Sequence, residues 1–175
     1  CFLRVPGITR HGQELRWIDA LFTATSAVCV TGLTITDTGS TFSLWGQVVL
    51  LILIQAGGLG ILTMSNWLLL TLYQRPNPLQ VHMLLEETHG SVRHIDPMNL
   101  LRRIIRFTVY CETAGTLILF LRFVEDQAVP RAFWLAVFHS VSAFCNAGFS
   151  LYPDSLTRYR HDWLVNLTVM GLVVI

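Results

Sequence analysis

The pattern Ser-Ala-x-Cys-x-x-Gly occurs twice in the sequence and ends at Gly32 and at Gly148. Residues 20–32 align with residues 136–148 without a gap, and six of the thirteen aligned residues are identical. Glycine tolerates positive φ, which turns the neighbouring backbone carbonyls towards one side. Carbonyl oxygens arranged in this way can replace the hydration shell of a cation. The repeat therefore predicts two segments that bind a cation through their backbone.

The segments around the two glycines, residues 24–36 and residues 140–153, contain no charged side chain. An enzyme or a receptor for an organic ligand would need charged or nucleophilic side chains that converge on the ligand, so these classes are not favoured. Two interfacial helices with glycine caps would be a simpler interpretation. It explains one copy, but it does not explain why both are followed by a polar loop and an apolar run that starts at Trp45 or Trp163.

The composition is that of a membrane protein. Of the 175 residues, 53% are hydrophobic and 13% are charged, and the mean hydropathy is +0.54, whereas soluble domains carry about 25% charged residues. Residues 38–74 contain no charged residue, and this run exceeds the roughly 20 apolar residues that cross a bilayer as a helix. The net charge of +1 and the absence of lysine give no indication of a nucleic-acid partner.

Hydropathy and the positions of proline and glycine divide the chain into two related units. The first unit covers residues 1–72 without its first helix, a connection covers residues 73–101, and the second unit covers residues 102–175. We expect short helices over 16–28 and 131–144, loops over 29–34 and 145–150, spanning helices over 45–72 and 102–123, and a truncated helix over 162–175.

A helix over residues 16–28 rises about 20 Å, which is too short to cross the bilayer. Irregular backbone at membrane depth is tolerated only where it is buried in protein or lines a water-filled cavity. Each unit therefore predicts a re-entrant pore loop, with the partly negative C-terminal end of its short helix pointing at the membrane centre. The expected fold is an all-α membrane protein in which helix–re-entrant loop–helix repeats surround a central pore.

The orientation follows from the arginines beside the second spanning helix. Arg102, Arg103 and Arg106 favour a cytoplasmic position for the connection, because cytoplasmic loops are enriched in basic residues. One crossing lies on each side of that connection. Both loops are therefore expected to enter from the same face, which is the extracellular or periplasmic one.

Three other features leave alternatives open. Glu112 is an acid within the second spanning helix, where it has either a functional role or a structural one as an acceptor of hydrogen bonds from a loop or a neighbouring helix. His139 is either a ligand or proton relay, or a packed and hydrogen-bonded histidine. The glycine-rich run over residues 55–60 lacks the preceding strand and the Lys-Ser/Thr of a nucleotide loop, so its small residues favour close helix packing.

Residues 19–33, 55–61 and 138–149 resemble the Trk/Ktr/HKT superfamily of potassium transporters, and most closely its bacterial membrane subunits. The resemblance implies one chain of four repeats arranged pseudo-symmetrically around a single pore, of which this sequence holds two. It implies potassium ligands at the backbone oxygens of Val30, Thr31, Asn146 and Ala147, filter glycines at Gly32 and Gly148, and filter flanks at Cys29, Leu33, Cys145 and Phe149.

The resemblance also implies the setting in which the chain works. Potassium is the expected transported ion and bound metal, with no organic cofactor and no enzymatic activity. The expected location is the cell (inner) membrane, with several crossings in contact with lipid. The expected partners are a second copy of the full-length chain and a cytoplasmic nucleotide-binding regulatory subunit that docks on connections such as residues 73–101.

Related architectures give the alternative functions. Gly32 stands where plant relatives with sodium preference have Ser, so the resemblance favours potassium. A sodium-permeable pore, an ion-coupled cation transporter of the same architecture, and a secondary transporter for another substrate are the alternatives.

Overall fold

The computed structural model describes residues 8–9, 16–73 and 97–175, and the secondary structure of these residues is helical apart from one β-bridge between Thr9 and Phe42. This agrees with the expected all-α class. The helices are α1 Trp17–Val28, α2 Thr38–Thr41, α3 Leu44–Tyr73, α4 Pro97–Phe123, α5 Val129–Phe144 and α6 Trp163–Val174, and a 3₁₀ turn covers Thr157–Tyr159.

Two of these helices are long and apolar enough to cross a membrane. The α3 helix has 30 residues and α4 has 27. Their spanning windows are Leu44–Ile61, with a mean hydropathy of 1.8, and Leu101–Phe123, with a mean hydropathy of 1.5. A bilayer core of about 30 Å needs about 20 helical residues. By contrast, α1 has 12 residues and α5 has 16, so neither is long enough to cross.

The helix that was expected over residues 102–123 begins earlier, at Pro97. Proline is favoured in the first turn of a helix, where its missing N–H is not needed. For the same reason, Pro130 lies in the first turn of α5, which begins two residues before the expected start at 131. The expected connection 73–101 therefore loses its last five residues to α4, and residues 74–96 of it lie outside the described part of the chain.

Two neighbouring glycines bring α3 against the C-terminal ends of both short helices. A Cβ atom added at Gly57 would lie 2.0 Å from the carbonyl oxygen of Val28, the last residue of α1. A Cβ atom added at Gly58 would lie 2.6 Å from Sγ of Cys145, which follows α5. No real Cβ atom tolerates such distances. These small residues therefore allow the close helix approach that the sequence predicted.

Polar side chains also join α3 to α5, near the start of α3. Nε1 of Trp134 donates to Oε1 of Gln47 at 2.7 Å, and Nε2 of Gln47 donates to the carbonyl oxygen of Phe42 at 3.1 Å. Gln47 is 3% exposed. A buried amide with both ends paired stabilises the contact instead of weakening it.

An ion pair fixes the start of α6 against the end of α4. Nε of Arg122 donates to Oδ2 of Asp162. The other carboxylate oxygen, Oδ1, caps α6 by accepting from the amides of Leu164 and Val165. Burial would raise the pKa of the Asp162 carboxyl, but the hydrogen bonds from Arg122 and the two amides lower it overall. The stabilisation is therefore present above the ordinary pKa of an aspartate and is lost as the pH falls through the lowered value.

The glycine contacts generate a paired stability prediction. Gly57→Ala places a methyl group against a backbone oxygen, so we expect it to destabilise the protein by about 1–3 kcal/mol, as overpacking does. Gly60 is the matched control because, apart from its chain neighbours and the backbone of its own helix, no atom of the described residues lies within 4 Å of a Cβ at that position. Gly60→Ala should keep or raise stability, since Ala is favoured over Gly in a helix by up to about 1 kcal/mol. Thermal unfolding in detergent would measure both, and equal melting temperatures for the two variants would contradict the packing described here.

Candidate functional site

The two short helices end in the same hydrogen-bond pattern. After α1, the amide of Val30 donates to the carbonyl of Ala27 at 3.3 Å, and the amide of Thr31 donates to the carbonyl of Ser26 at 3.0 Å. These two bonds define a Schellman motif, in which the residue after the cap adopts a left-handed conformation.

The matched residues after α5 repeat this pattern. The amide of Asn146 donates to the carbonyl of Ala143 at 2.9 Å, and the amide of Ala147 donates to the carbonyl of Ser142 at 2.7 Å. The cap residues agree as well, since Cys29 has φ −80° and ψ −1° and Cys145 has φ −74° and ψ −4°. The two copies of the sequence pattern therefore fold into the same local backbone.

Four residues of these loops have positive φ. Gly32 has φ 73° and Gly148 has φ 70°, which confirms the conformation that the sequence predicted for both glycines. Val30, at 56°, and Asn146, at 55°, were not predicted to adopt it. Asparagine at the position after a helix cap is a known left-handed residue, so the sequence held a signal for Asn146. A β-branched residue such as Val30 is an outlier in this conformation, so the sequence held no signal for it.

The two loops meet at their glycines. A Cβ atom added at Gly32 would lie 2.6 Å from the carbonyl oxygen of Ala147 and 3.2 Å from Cα of Gly148. A Cβ atom added at Gly148 would lie 3.5 Å from Cα of Gly32. The fold therefore brings together two segments that are far apart in the sequence, and it does so backbone to backbone.

The four carbonyl groups predicted as ligands accept no hydrogen bond from the described residues. Within residues 16–73 and 97–175, no hydrogen bond ends on the carbonyl oxygens of Val30, Thr31, Asn146 or Ala147. Ala147 is completely buried. Of the other three residues, Val30 is half-buried and Thr31 and Asn146 are exposed. Because buried carbonyls are nearly always paired in folded proteins, the Ala147 oxygen in particular calls for a partner beyond the described residues.

Serine hydroxyls at matched positions support the loops in different ways. In the first loop, the hydroxyl of Thr31 donates to Oγ of Ser26 at 3.0 Å. In the second loop, Oγ of Ser142 donates to the carbonyl oxygen of Phe149 at 2.7 Å. Both serines belong to the repeated sequence pattern, but sequence reasoning gave them no role. The presence of serine at this position in both copies was the signal that could have indicated this role.

The residues that flank the loops differ in exposure. Cys145 and Phe149 are buried in the second loop, whereas Cys29 and Leu33 are exposed in the first. The second loop is therefore the one that packs against neighbouring helices within the described residues.

His139 is a packed histidine with both ring nitrogens paired. Its Nδ1 lies 2.8 Å from the carbonyl oxygen of Leu135, and its Nε2 lies 3.0 Å from Oγ of Ser150. A carbonyl only accepts, so Nδ1 carries the proton and Nε2 accepts from the Ser150 hydroxyl. That hydroxyl in turn accepts from the amide of Tyr152 at 3.1 Å. These contacts are the ones expected for the packed, hydrogen-bonded alternative for His139.

Glu112 lies behind the start of the second loop. Its backbone carbonyl accepts from Oγ of Ser140 at 2.8 Å. Oε1 of Gln55 accepts from the thiol of Cys145, with 3.7 Å between the sulfur and the oxygen. Oε1 of Glu112 and Oγ1 of Thr108 are buried without a partner among the described residues.

A family profile described as "TrkH: Cation transport protein" matches residues 3–175. The chain belongs to the TrkH family of cation transport proteins. This membership confirms the family resemblance and the expectation that the chain is not an enzyme. TrkH-family proteins reside in membranes, which agrees with the two spanning windows in α3 and α4.

Three curated relatives illustrate the similarity. The Ktr system potassium uptake protein B of Vibrio alginolyticus is 41% identical over 172 residues, which cover 98% of this chain and 37% of the relative. The protein of the same name from Bacillus subtilis is 39% identical, over 93% of this chain and 36% of the relative. The potassium/sodium uptake protein NtpJ of Enterococcus hirae is 34% identical, over 98% of this chain and 38% of the relative. The chain thus spans somewhat more than a third of the length of these relatives.

The left-handed residues generate a reciprocal prediction. Val30→Asn replaces a β-branched residue by the type that the second loop uses at the matched position, so we expect stability to be kept or raised. Asn146→Val introduces the strain and should lower stability by about 1–3 kcal/mol. Thermal unfolding of the two single variants in detergent would test this, and a lower melting temperature for Val30→Asn than for Asn146→Val would contradict it.

Proposed function

We propose that this chain supplies two pore-lining repeats of a potassium-uptake protein. Potassium crosses the membrane through a filter in which the backbone oxygens of Val30, Thr31, Asn146 and Ala147 replace part of its hydration shell. Gly32 and Gly148 are the filter glycines, and Cys29, Leu33, Cys145 and Phe149 flank them. The observation that carries the proposal is a set of four carbonyls that accept no hydrogen bond from the described residues, in two loops that touch at these glycines.

The depth of the loops supports a re-entrant arrangement. Gly57 and Gly58, which contact the ends of the two short helices, follow the first residue of α3 by thirteen and fourteen positions. At about 1.5 Å per residue, they lie roughly 20 Å along α3. The chain after Gly32 then returns to the start of α3 at Leu44. A short helix that descends to this depth and a segment that returns from it fit a pore loop better than an interfacial helix.

The electrostatics of the helix ends favour a cation at the same depth. Both short helices present their C-terminal ends where α3 meets them, and a helix C-terminus carries a partial negative charge. No basic side chain lies in the last turn of either helix. The field at the loops is therefore one that attracts a cation.

The matched backbones support an arrangement of repeats around an axis. The hydrogen bonds, the cap dihedrals and the four positive φ values agree between the two loops. We infer that residues 1–72 and 102–175 are two of four pseudo-symmetric repeats, because the relatives are more than twice as long as this chain. The printed names of two of these relatives, potassium uptake protein B, support potassium as the transported ion.

The proposed orientation places the loops on the extracellular or periplasmic side. Arg102, Arg103 and Arg106 lie near the start of α4, and this end favours the cytoplasm. The complete protein is proposed to be a homodimer in the cell membrane that binds a cytoplasmic nucleotide-binding subunit. Most of the segment expected to receive that subunit, residues 73–101, lies outside the described residues.

The filter assignment predicts the effect of a side chain at Gly32. A Ser at φ 73° is strained, and its Cβ would lie 2.6 Å from the Ala147 oxygen that the proposal treats as a ligand. We expect Gly32→Ser in the complete protein to lower the preference for potassium over sodium by about tenfold, the change that 1–2 kcal/mol of misplacement produces. Potassium and sodium uptake by cells that lack their own potassium transporters would measure it.

Gly171→Ser is the matched control, because no atom of the described residues, apart from its chain neighbours and the backbone of its own helix, lies within 4 Å of a Cβ at that position. Its uptake and ion preference should equal those of the wild type. Unchanged ion preference in Gly32→Ser, with the protein present in the membrane, would show that the filter assignment is wrong. A wild-type protein that carries sodium as well as potassium would favour the sodium-permeable alternative.

A further inference from the structure

Ser142 of α5 is hydrogen-bonded to the second loop through both its backbone and its side chain. Its backbone carbonyl accepts from the amide of Ala147 at 2.7 Å, and its hydroxyl donates to the carbonyl oxygen of Phe149 at 2.7 Å. The residues on either side of Gly148 are therefore tied to one residue of the short helix. Ser142, Ala147 and Phe149 are each at most 3% exposed, so these bonds form away from water, where they are stronger.

The two ties restrict the backbone that carries the Ala147 carbonyl. They close a ring that contains the peptide group between Ala147 and Gly148, and the glycine has φ 70°. A glycine without such ties has access to a wide range of φ and ψ, and the direction of the carbonyl before it would vary accordingly. With the amide of Ala147 and the carbonyl of Phe149 both held, that peptide group keeps one orientation.

His139 holds the chain that follows this ring. Its Nε2 accepts from the hydroxyl of Ser150 at 3.0 Å, and that hydroxyl accepts from the amide of Tyr152 at 3.1 Å. The rings of His139 and Tyr152 pack with 5.3 Å between their centroids. The ring of Phe123 contacts both of them edge-on, at 5.9 and 6.0 Å. The second loop is therefore anchored to α5 and α4 as it leaves the filter glycine.

The first loop has only one of the two ties. The amide of Thr31 donates to the carbonyl of Ser26 at 3.0 Å, as in the second loop. The hydroxyl of Ser26, however, accepts from Oγ1 of Thr31 at 3.0 Å. The carbonyl of Leu33, which matches Phe149, accepts no hydrogen bond from the described residues, and Leu33 is exposed. The second tie therefore distinguishes two loops whose backbones otherwise match.

We propose that Ser142 is a positioning residue for ion selection: by tying Ala147 and Phe149 to α5, with His139 holding the chain beyond them, it fixes the direction of the Ala147 carbonyl. This proposal rests on the proposed function, because it takes that carbonyl as a potassium ligand. A filter built from backbone oxygens discriminates between ions through the number and the arrangement of those oxygens. The second loop is then the fixed side of the filter, and the first loop is the more adaptable side.

Substitutions of Ser142 in the complete protein test the role of its hydroxyl. Ser142→Ala removes the tie to Phe149 and should lower the preference for potassium over sodium by about fivefold, the change that the loss of one net hydrogen bond produces. Ser142→Thr keeps the hydroxyl and should retain the wild-type preference, although its added methyl group lowers the melting temperature in detergent. Potassium and sodium uptake by cells that lack their own potassium transporters would measure the preference.

Two further variants locate the effect. Ser26→Ala removes the matched hydroxyl of the first loop, which makes no tie to Leu33, so it should change the preference less than Ser142→Ala does. An equal loss in the two variants would contradict the proposal. Thr113→Ala is the control outside the loops, because the bond that the structure shows for its hydroxyl is to the carbonyl of Val109 within α4. Its ion preference should equal that of the wild type.

Wild-type preference in Ser142→Ala would overturn the proposal. A loss in Ser142→Thr as large as that in Ser142→Ala would overturn it as well, by showing that the hydroxyl is not the working group. Ser150→Ala removes the bond to His139 and should lower the preference in the same direction. It decides the test if Ser142→Ala does not reach the membrane, and an unchanged preference would then overturn the proposal. Failure of the proposed function is a different outcome, because Gly32→Ser then also leaves the ion preference unchanged.

Discussion

A backbone carbonyl that lies away from water must find a hydrogen-bond donor or a cation, and the arrangement of this chain follows from that requirement. The Schellman motifs after α1 and α5 use the amides of the next two residues to close each helix. The carbonyls of those same residues are left without a donor among the described residues. Left-handed backbone at Val30 and Gly32, and at Asn146 and Gly148, sets their directions. In the proposed pore, the ion supplies the missing partner.

The long helix α3 is the element that places both loops. Gly57 contacts the end of α1, and its neighbour Gly58 contacts Cys145 after α5. Gln55, half a turn earlier, accepts a hydrogen bond from the thiol of Cys145. One short stretch of α3 thus positions two loops that are distant in the sequence. A substitution there is expected to disturb both loops at once, whereas one at Ser142 or His139 acts on the second loop only.

The sequence predicted the elements that depend on local pattern, and it missed those that depend on contacts between elements. The two short helices and the positive φ at Gly32 and Gly148 follow from an internal repeat and from the conformational freedom of glycine. The left-handed Val30 could not be predicted, because propensity argues against it. The contact of Gly57 with one loop and of Gly58 with the other depends on how three helices cross. The sequence marked Glu112 as unusual, but only the fold shows that its backbone carbonyl accepts a hydrogen bond from Ser140 of α5.

The most direct test of the account is the position of the ion in the complete protein. A crystal structure with rubidium in place of potassium would locate the ion by its anomalous scattering. The account predicts a peak in direct contact with the backbone oxygens of Thr31 and Ala147, close to Gly32 and Gly148. A peak elsewhere, or amide donors from the rest of the protein paired with those oxygens, would contradict it.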